Sequence, residues 1–341
     1  MRPVPFIGTG PWRVPVVGAT RLELVTSAVS RQRSNQLSYA PGTDVPLYLI
    51  GGRPGVKEKK RFRTRHPSLT TICAPGNSNR MKDQPRRTDR VSVMSLNIRF
   101  GLADTGEHGW ENRKPGFAAL FDQYRPDFIG MQEVNGFQAA FFSGLLSDYH
   151  AIGKRTPAPA GWQDVLIFYH KSWKCRDCDR FFLSDTPDVP SRMPDSRWPR
   201  QCVMGAFEKE GLRMVCVNTH FDFDAPVQVK SAAILLARLE KFSGPALPAL
   251  LTGDFNAGPG SDCHRAFTDP DRLARPFSDP FDGDNSGTFH KFTGDPVSDR
   301  IDWILSRGLG KTTERKIITD RFAGIFPSDH FPVYAEFSLD L

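Results

Sequence analysis

The sequence predicts an α/β fold in which two β-sheets pack together with helices outside, on three observations. Short apolar runs with strand character alternate with helical stretches across roughly 250 residues. Several of those runs end in polar residues that do not belong in an apolar core. The stretch 250–261, LLTGDFNAGPGS, shows the pattern most clearly. An apolar strand stops at Gly253, Asp254 and Asn256 follow two residues apart, and Gly258, Pro259 and Gly260 force a turn. A carboxylate and a carboxamide therefore leave the carboxyl end of a strand together, where open α/β sheets usually keep their chemistry.

Taken in order, residues 91–100, VSVMSLNIRF, alternate and run into a loop marked by Asn97, Arg99 and Gly101. Residues 110–124, WENRKPGFAALFDQY, read as a helix, with Pro115 expected in its first turn. Residues 127–134, DFIGMQEV, form a buried strand closed by Glu133, and 136–146 are helical. Residues 165–170, VLIFYH, form a strand, and 176–183 are expected to pair with it across a turn near 171–173. Residues 202–207 and 214–220 read as neighbouring strands. Residues 226–242 show helical spacing in Val229, Ala233, Leu236 and Leu239. Beyond the central strand, Phe289, 301–305, 317–318 and 333–337 supply further strands.

Charge divides the chain. Residues 1–90 carry 17 of the 45 Lys and Arg and 5 of the 38 Asp and Glu, which leaves 28 and 33 for residues 91–341. A basic leader without a core pattern thus precedes a mildly acidic body. The leader fits an organellar transit peptide, a basic arm for nucleic acid, or a disordered leader with no role. Met81 is a natural start for the compact body over 91–341. Cys175 and Cys178 form a CxxC with no second metal-spaced pair, while Cys202 and Cys216 lie in apolar runs. Reduced thiols in a cytoplasmic setting are expected, and no apolar run approaches a membrane span.

The polar strand ends are Asn97, Glu133, His220, the Asp254–Asn256 pair, Asp302 in RIDWIL, and Asp329–His330 in FPSDHFPV. Singly, each has a plain structural use: a turn cap, a helix cap, a satisfied core histidine, or a partner for Arg300 or Arg307. Together they need a shared purpose. The series SLNIRFG, MQEV, NTHFD, LTGDFN, RIDWIL and SDHFPV resembles the endonuclease/exonuclease/phosphatase superfamily over about residues 91–341. WENR, SDTPDVP and GTFHKF look closest to a bacterial stand-alone branch with deadenylase-like motifs.

The resemblance implies a four-layer α/β sandwich like that of deoxyribonuclease I, and divalent-metal-dependent phosphoester hydrolysis. It implies Glu133 as the principal Mg²⁺ ligand, with Asn97 and Asp329 beside it and Mn²⁺ as a substitute. Such a cation screens an anionic phosphodiester and supports the leaving oxygen. Asp254 and Asn256 would orient or activate the attacking water, or hold a second cation. Asp302 and His330 would form a carboxylate–histidine dyad. His220 would hold a non-bridging oxygen, with Asp164 or Gln163 as its partner. Asn97, Tyr169 and Arg200 are candidates for substrate contact. A nuclease or other phosphodiesterase is expected; fold does not choose between it and a phosphomonoesterase acting on a sugar, lipid or nucleotide. A silent binding module on the same fold would not need all of these residues. A monomer acting on a phosphoester, with nucleic acid as one such partner, completes the expectation. A chain starting at Met81 should give a cooperative thermal melt like that of the full chain; loss of that transition would overturn the domain division.

Overall fold

The computed structural model describes residues 89–339 except 244–246 and 285. The expected leader, apart from its last two residues, lies outside the described residues, as do Cys73 and Met81. The strands are β1 (Arg90–Asn97), β2 (Phe128–Val134), β3 (Tyr149–Ile152), β4 (Asp164–His170), β5 (Lys174–Phe182), β6 (Gln201–Lys209), β7 (Leu212–His220), β8 (Ala249–Asp254), β9 (Asp302–Arg307), β10 (Thr312–Ile317) and β11 (Val333–Ser338). The helices are α1 (Trp110–Gln123), α2 (Gly136–Leu145), α3 (Ala225–Ser243) and α4 (Asp262–Thr268).

Two mixed sheets result, with orders β10-β11-β1-β2-β4-β3 and β5-β6-β7-β8-β9. Only β1–β2 and β7–β8 are parallel. Apolar side chains on alternate positions explain the layering. Val93, Phe128, Ile167, Phe207, Cys216, Leu250 and Ile304 fill the space between the sheets. On the outer face of the first sheet, Met94, Ile129 and Phe168 meet Phe117, Phe121 and Phe142 of α1 and α2. On the outer face of the second, Val217, Leu251 and Trp303 meet Leu235 and Leu239 of α3 and Phe267 of α4. Helix, sheet, sheet, helix is the four-layer α/β sandwich expected.

The details differ from the sequence reading in four places. β5 does not pair with β4; it pairs antiparallel with β6 at the edge of the other sheet. Both edges of β4 are already taken, by β2 and by the short β3. Pro115 sits in the second turn of α1 rather than the first. Its missing N–H would have met Glu111, which is exposed, so water can replace that bond. Phe289 makes an isolated bridge with His330 rather than a strand. The strand expected at 317–318 runs earlier, as β10.

The sheets meet through a polar seam beneath the strand ends. Gln132 Nε2 donates to Asn218 Oδ1 at 2.7 Å, and Asn218 Nδ2 donates to the carbonyls of Met131 and Leu166, both at 2.9 Å. Thr252 Oγ1 donates to Val217 O at 3.0 Å. Gly130 permits this approach, because a Cβ there would lie 2.3 Å from Thr252 Oγ1 and 2.8 Å from Asn218 Oδ1. Gly130→Ala is therefore expected to lower the unfolding free energy by about 1–3 kcal/mol, the usual scale of overpacking. Chemical denaturation checks this, and an unchanged midpoint would argue against so tight a seam.

Candidate active site

The site lies where the strand ends of both sheets converge. In the second sheet His220 pairs in register with Asp254, and Asp254 with Asp302. Three polar residues thus form a lateral row across β7, β8 and β9. In the first sheet Asn97 ends β1 opposite Gln132, beside Glu133. Asn97 joins the two sheets: its Nδ2 donates to Asp254 Oδ2 at 3.0 Å and to Glu133 Oε1 at 3.3 Å. Its Oδ1 accepts the Arg99 N–H at 2.9 Å. Glu133 Oε2 accepts the Phe100 N–H at 2.7 Å. Asp329 and His330 enter from the loop before β11.

His330 Nδ1 meets Asp302 Oδ2 at 2.8 Å. The two cations weighed as alternative partners of Asp302 are engaged elsewhere, Arg300 with Asp279 at 2.7 Å and Arg307 with Glu240 at 2.8 Å. Burial disfavours a charged His330, but the charge and hydrogen bond of Asp302, joined by Asp254 and Asp329, outweigh it and push the imidazole up to about 10. Asp254 is buried. That burial, with the nearby charge of Asp302, pushes it up to about 7 against the opposing pull of His330, Asn97 and the Asn256 N–H. His220 Nε2 lies 3.4 Å from Asp254 Oδ2. Burial, then the charges of Arg200 and His330, hold His220 well below its ordinary 6.5.

Three site positions adopt left-handed backbone: Arg99 at φ 59°, Glu133 at φ 64° and Asn256 at φ 51°. None is glycine, so each carries strain of the kind that concentrates at functional sites. At Glu133 the kink coincides with a register shift between β2 and β4, which turns the carboxylate out of the sheet. Asn256 closes a turn, its N–H meeting Asp254 Oδ1 at 3.0 Å while its Nδ2 donates to Phe221 O at 3.0 Å. Its carboxamide therefore braces the loop after β7 rather than extending beside Asp254.

Other expected residues are placed differently. Tyr169 is not at the site: it pairs with Phe128 at the far end of β4 and packs 4.9 Å from the Phe207 ring. β4 runs antiparallel to β2, so its amino end, not its carboxyl end, faces the site. Neither Asp164 nor Gln163 pairs with His220. Asp164 Oδ1 accepts Trp162 Nε1 at 2.8 Å and Arg155 N at 3.2 Å, and Gln163 O accepts Gln201 Nε2 at 2.9 Å. Arg200 does lie beside the row. It is buried 3.7 Å from Asp222, within the field of Asp254 and Glu133, and its Nε–H donates to no acceptor.

Several residues that position the site carried no such assignment in the sequence. Arg99 Nη1 lies 3.3 Å from Asp329 Oδ2, and its Nε donates to Asp104 at 2.8 Å. Arg113, from WENR, is buried and donates to the carbonyls of His108, Ile98, Pro327 and Arg99. Burial lowers its pKa to about 10, so it stays charged while tying two site loops together. His290, from GTFHKF, stacks on Phe331 at 3.9 Å, and its backbone N–H donates to Asp329 O at 2.8 Å. Thr288 Oγ1 accepts the N–H groups of Ile301 and Asp302 at 3.1 and 3.2 Å. Arg113 and His290 lie in WENR and GTFHKF, motifs that carried the resemblance but assigned these two residues no role.

The donor set suits a hard divalent cation. Glu133 and Asp254 present carboxylate oxygens to Asn97 Nδ2, Asp329 presents one to Arg99 Nη1 at 3.3 Å, and oxygen donors are what such cations require. A tighter trio, Asp254, Asp302 and His330, has ligating atoms within 4.8 Å of one another. Asp302 already claims His330 Nδ1, so that trio reads better as a hydrogen-bonded relay.

No curated protein matches the sequence. The family model described as Endonuclease/Exonuclease/phosphatase family matches residues 94–330. A solved protein of that family from Bacteroides thetaiotaomicron shares 28% identity at a TM-score of 0.66, over 74% of this chain and 98% of that one. A mannosyl-6-phosphatase of the same organism shares 28% identity at 0.65, over 73% of this chain and 100% of that one. The human Nocturnin catalytic domain, solved with a bound sulfate anion, is alike in fold at 19% identity and a TM-score of 0.59, over 74% and 94% of the two chains.

The dyad is open to a mutational test. Asp302→Asn keeps a hydrogen bond but removes the charge, and should lower the rate by about 10²-fold or more with little change in melting temperature. His330→Ala should be at least as slow, and the double variant barely slower than His330→Ala. Losses that multiply would mean that the two residues act separately.

Proposed function

The chain belongs to the Endonuclease/Exonuclease/phosphatase family, and from that premise we propose that it hydrolyses phosphoesters with the aid of a divalent cation, acting as a phosphodiesterase of the nuclease kind. The observation that carries the reading is the convergence of Glu133, Asn97, Asp254, His220 and the Asp302–His330 dyad at one end of two packed sheets. Mg²⁺, or Mn²⁺ in its place, would be held by Glu133 and Asp329, and when bound would screen the phosphate and support the leaving oxygen. Asn97 now turns its nitrogen to the carboxylates. It therefore spaces them, and ligation through Oδ1 would require the amide to turn away from Arg99.

The protein's own groups divide the remaining work. His330, with Nδ1 held by Asp302, directs Nε2 toward Asp254 at 4.0 Å. An imidazole that already carries both protons donates to a phosphate oxygen and cannot act as the base. Asp254 is the group left to take the proton of the attacking water. His220 and Arg200 sit at the same row and suit the non-bridging oxygens. The described cysteines are free, and no helix of the described residues is long and apolar enough to cross a membrane.

A phosphomonoesterase is the second reading, favoured by the 28% identity to a mannosyl-6-phosphatase. A panel of single-stranded RNA, abasic DNA and phosphosugars, assayed with Mg²⁺ and with EDTA, separates the two. Hydrolysis is expected with Mg²⁺ and should stop in EDTA. Glu133→Gln should abolish it with an unchanged melt. Full activity of that variant in Mg²⁺ would remove Glu133 from the cation site.

A further inference from the structure

Resting on the hydrolase reading, we infer that the cleft beside Glu133 is a second anion subsite, which holds another phosphate group of the same substrate. The cleft, of about 280 Å³, opens between the loop after β1, the start of α2 and the loop ahead of β4. Its wall continues the two segments that carry Glu133 and its hydrogen-bond donor Phe100. Asn135 in its wall stands two residues past Glu133, and its Oδ1 accepts the Gly101 N–H at 3.0 Å. Leu102, also in the wall, stands two residues past Phe100, which holds Glu133 Oε2.

Lys154 and Arg155 give the cleft its chemistry. Lys154 is exposed and Arg155 half-buried, and among the described residues neither forms an ion pair. The neighbouring cleft, of about 530 Å³, contrasts with it: there Lys114 is already paired with Glu111 at 2.7 Å. The free positive charge is therefore on one side only. Surface cations are commonly just solvated, but here the wall behind them is built. The Arg155 guanidinium lies over the Trp162 ring at 4.4 Å. Trp162 Nε1 is anchored on the buried Asp164 at 2.8 Å, and Trp162 O accepts Asn135 Nδ2 at 2.9 Å. Asp164 Oδ1 also takes the Arg155 N–H, so that carboxylate serves the wall. A guanidinium stacked on an indole keeps its edge donors free for the oxygens of a phosphate. Leu102 and Phe137, 63% and 43% exposed, form an apolar ridge at the cleft, suited to an uncharged segment between two phosphates.

A second phosphate has two sources, a neighbouring nucleotide or a sugar bisphosphate. Initial rates distinguish them, using thymidylyl dinucleotide with and without a 5′-phosphate, and fructose 1,6-bisphosphate against fructose 6-phosphate. The two-phosphate member of one pair should have the higher kcat/KM by about tenfold or more, expressed in KM, since a charged hydrogen bond contributes on that scale. The preference should shrink as salt rises. It should collapse toward one in Lys154→Ala/Arg155→Ala and persist in the charge-conserving swap Lys154→Arg/Arg155→Lys. Lys154→Ala alone, at an exposed side chain, covers the case in which the double variant melts early. The pair that responds names the source. No preference in either pair, or a preference that survives in the alanine variants, would overturn the subsite and leave the hydrolase reading standing. Hydrolysis of neither pair, with activity also lacking on the wider panel, would sink the hydrolase reading itself.

Discussion

Asp254 is a carboxylate buried between two sheets, and most of what surrounds it makes that burial tolerable. An isolated buried carboxylate is costly, and this one has a second, Asp302, beside it in register. One charged imidazole, one neutral imidazole, one amide and one backbone N–H answer the cost. The same arrangement leaves Asp254 poised near neutrality rather than fixed as an anion. A carboxylate so placed can gain and lose a proton at ordinary pH, which an exposed aspartate does not do.

Rigid support holds the opposing charges in place. The polar seam of Gln132, Asn218 and Thr252 fixes one sheet against the other just below the row. Arg113 clamps the loops that carry Arg99 and Pro327, giving four donors to carbonyls and none to a carboxylate. Such an arginine organises backbone without pairing with the acids of the site. Arg99, by contrast, touches Asp329 and Asp104 and lies at the surface of the site. The left-handed conformations at Arg99, Glu133 and Asn256 follow from this bracing: they persist where surrounding bonds over-determine the chain.

Much of this was legible in the sequence because strand ends are short-range features. MQEV, NTH, GDFN and RIDWIL each show an apolar run meeting a polar residue, and the register of parallel and antiparallel neighbours brings those ends together. Direction was not legible. Tyr169 was a candidate for substrate contact near the carboxyl end of its strand, yet β4 runs the other way and turns that end from the site. The pairing of β5 was misread because sequence neighbours usually pair, and the strand that displaces it, β3, has only four residues with an exposed middle. Asn218 and Gln132 hid inside motifs read for His220 and Glu133. Their role depends on the other sheet, 86 residues away in sequence for that pair.

The two histidines show how one carboxylate can divide acid from base. Both Nε2 atoms face Asp254 Oδ2. His330 has a second carboxylate behind it, and the pull of Asp302 carries it up to about 10 despite burial. His220 has no such carboxylate; it has Arg200 and the charged His330 as neighbours, and burial keeps it neutral. A neutral imidazole beside a charged one avoids placing two positive rings on a single acid. The row therefore holds one charged and one neutral imidazole against a single acid. The difference arises from Asp302, a residue whose place in an apolar strand is otherwise costly, and whose charge is matched by His330 at 2.8 Å.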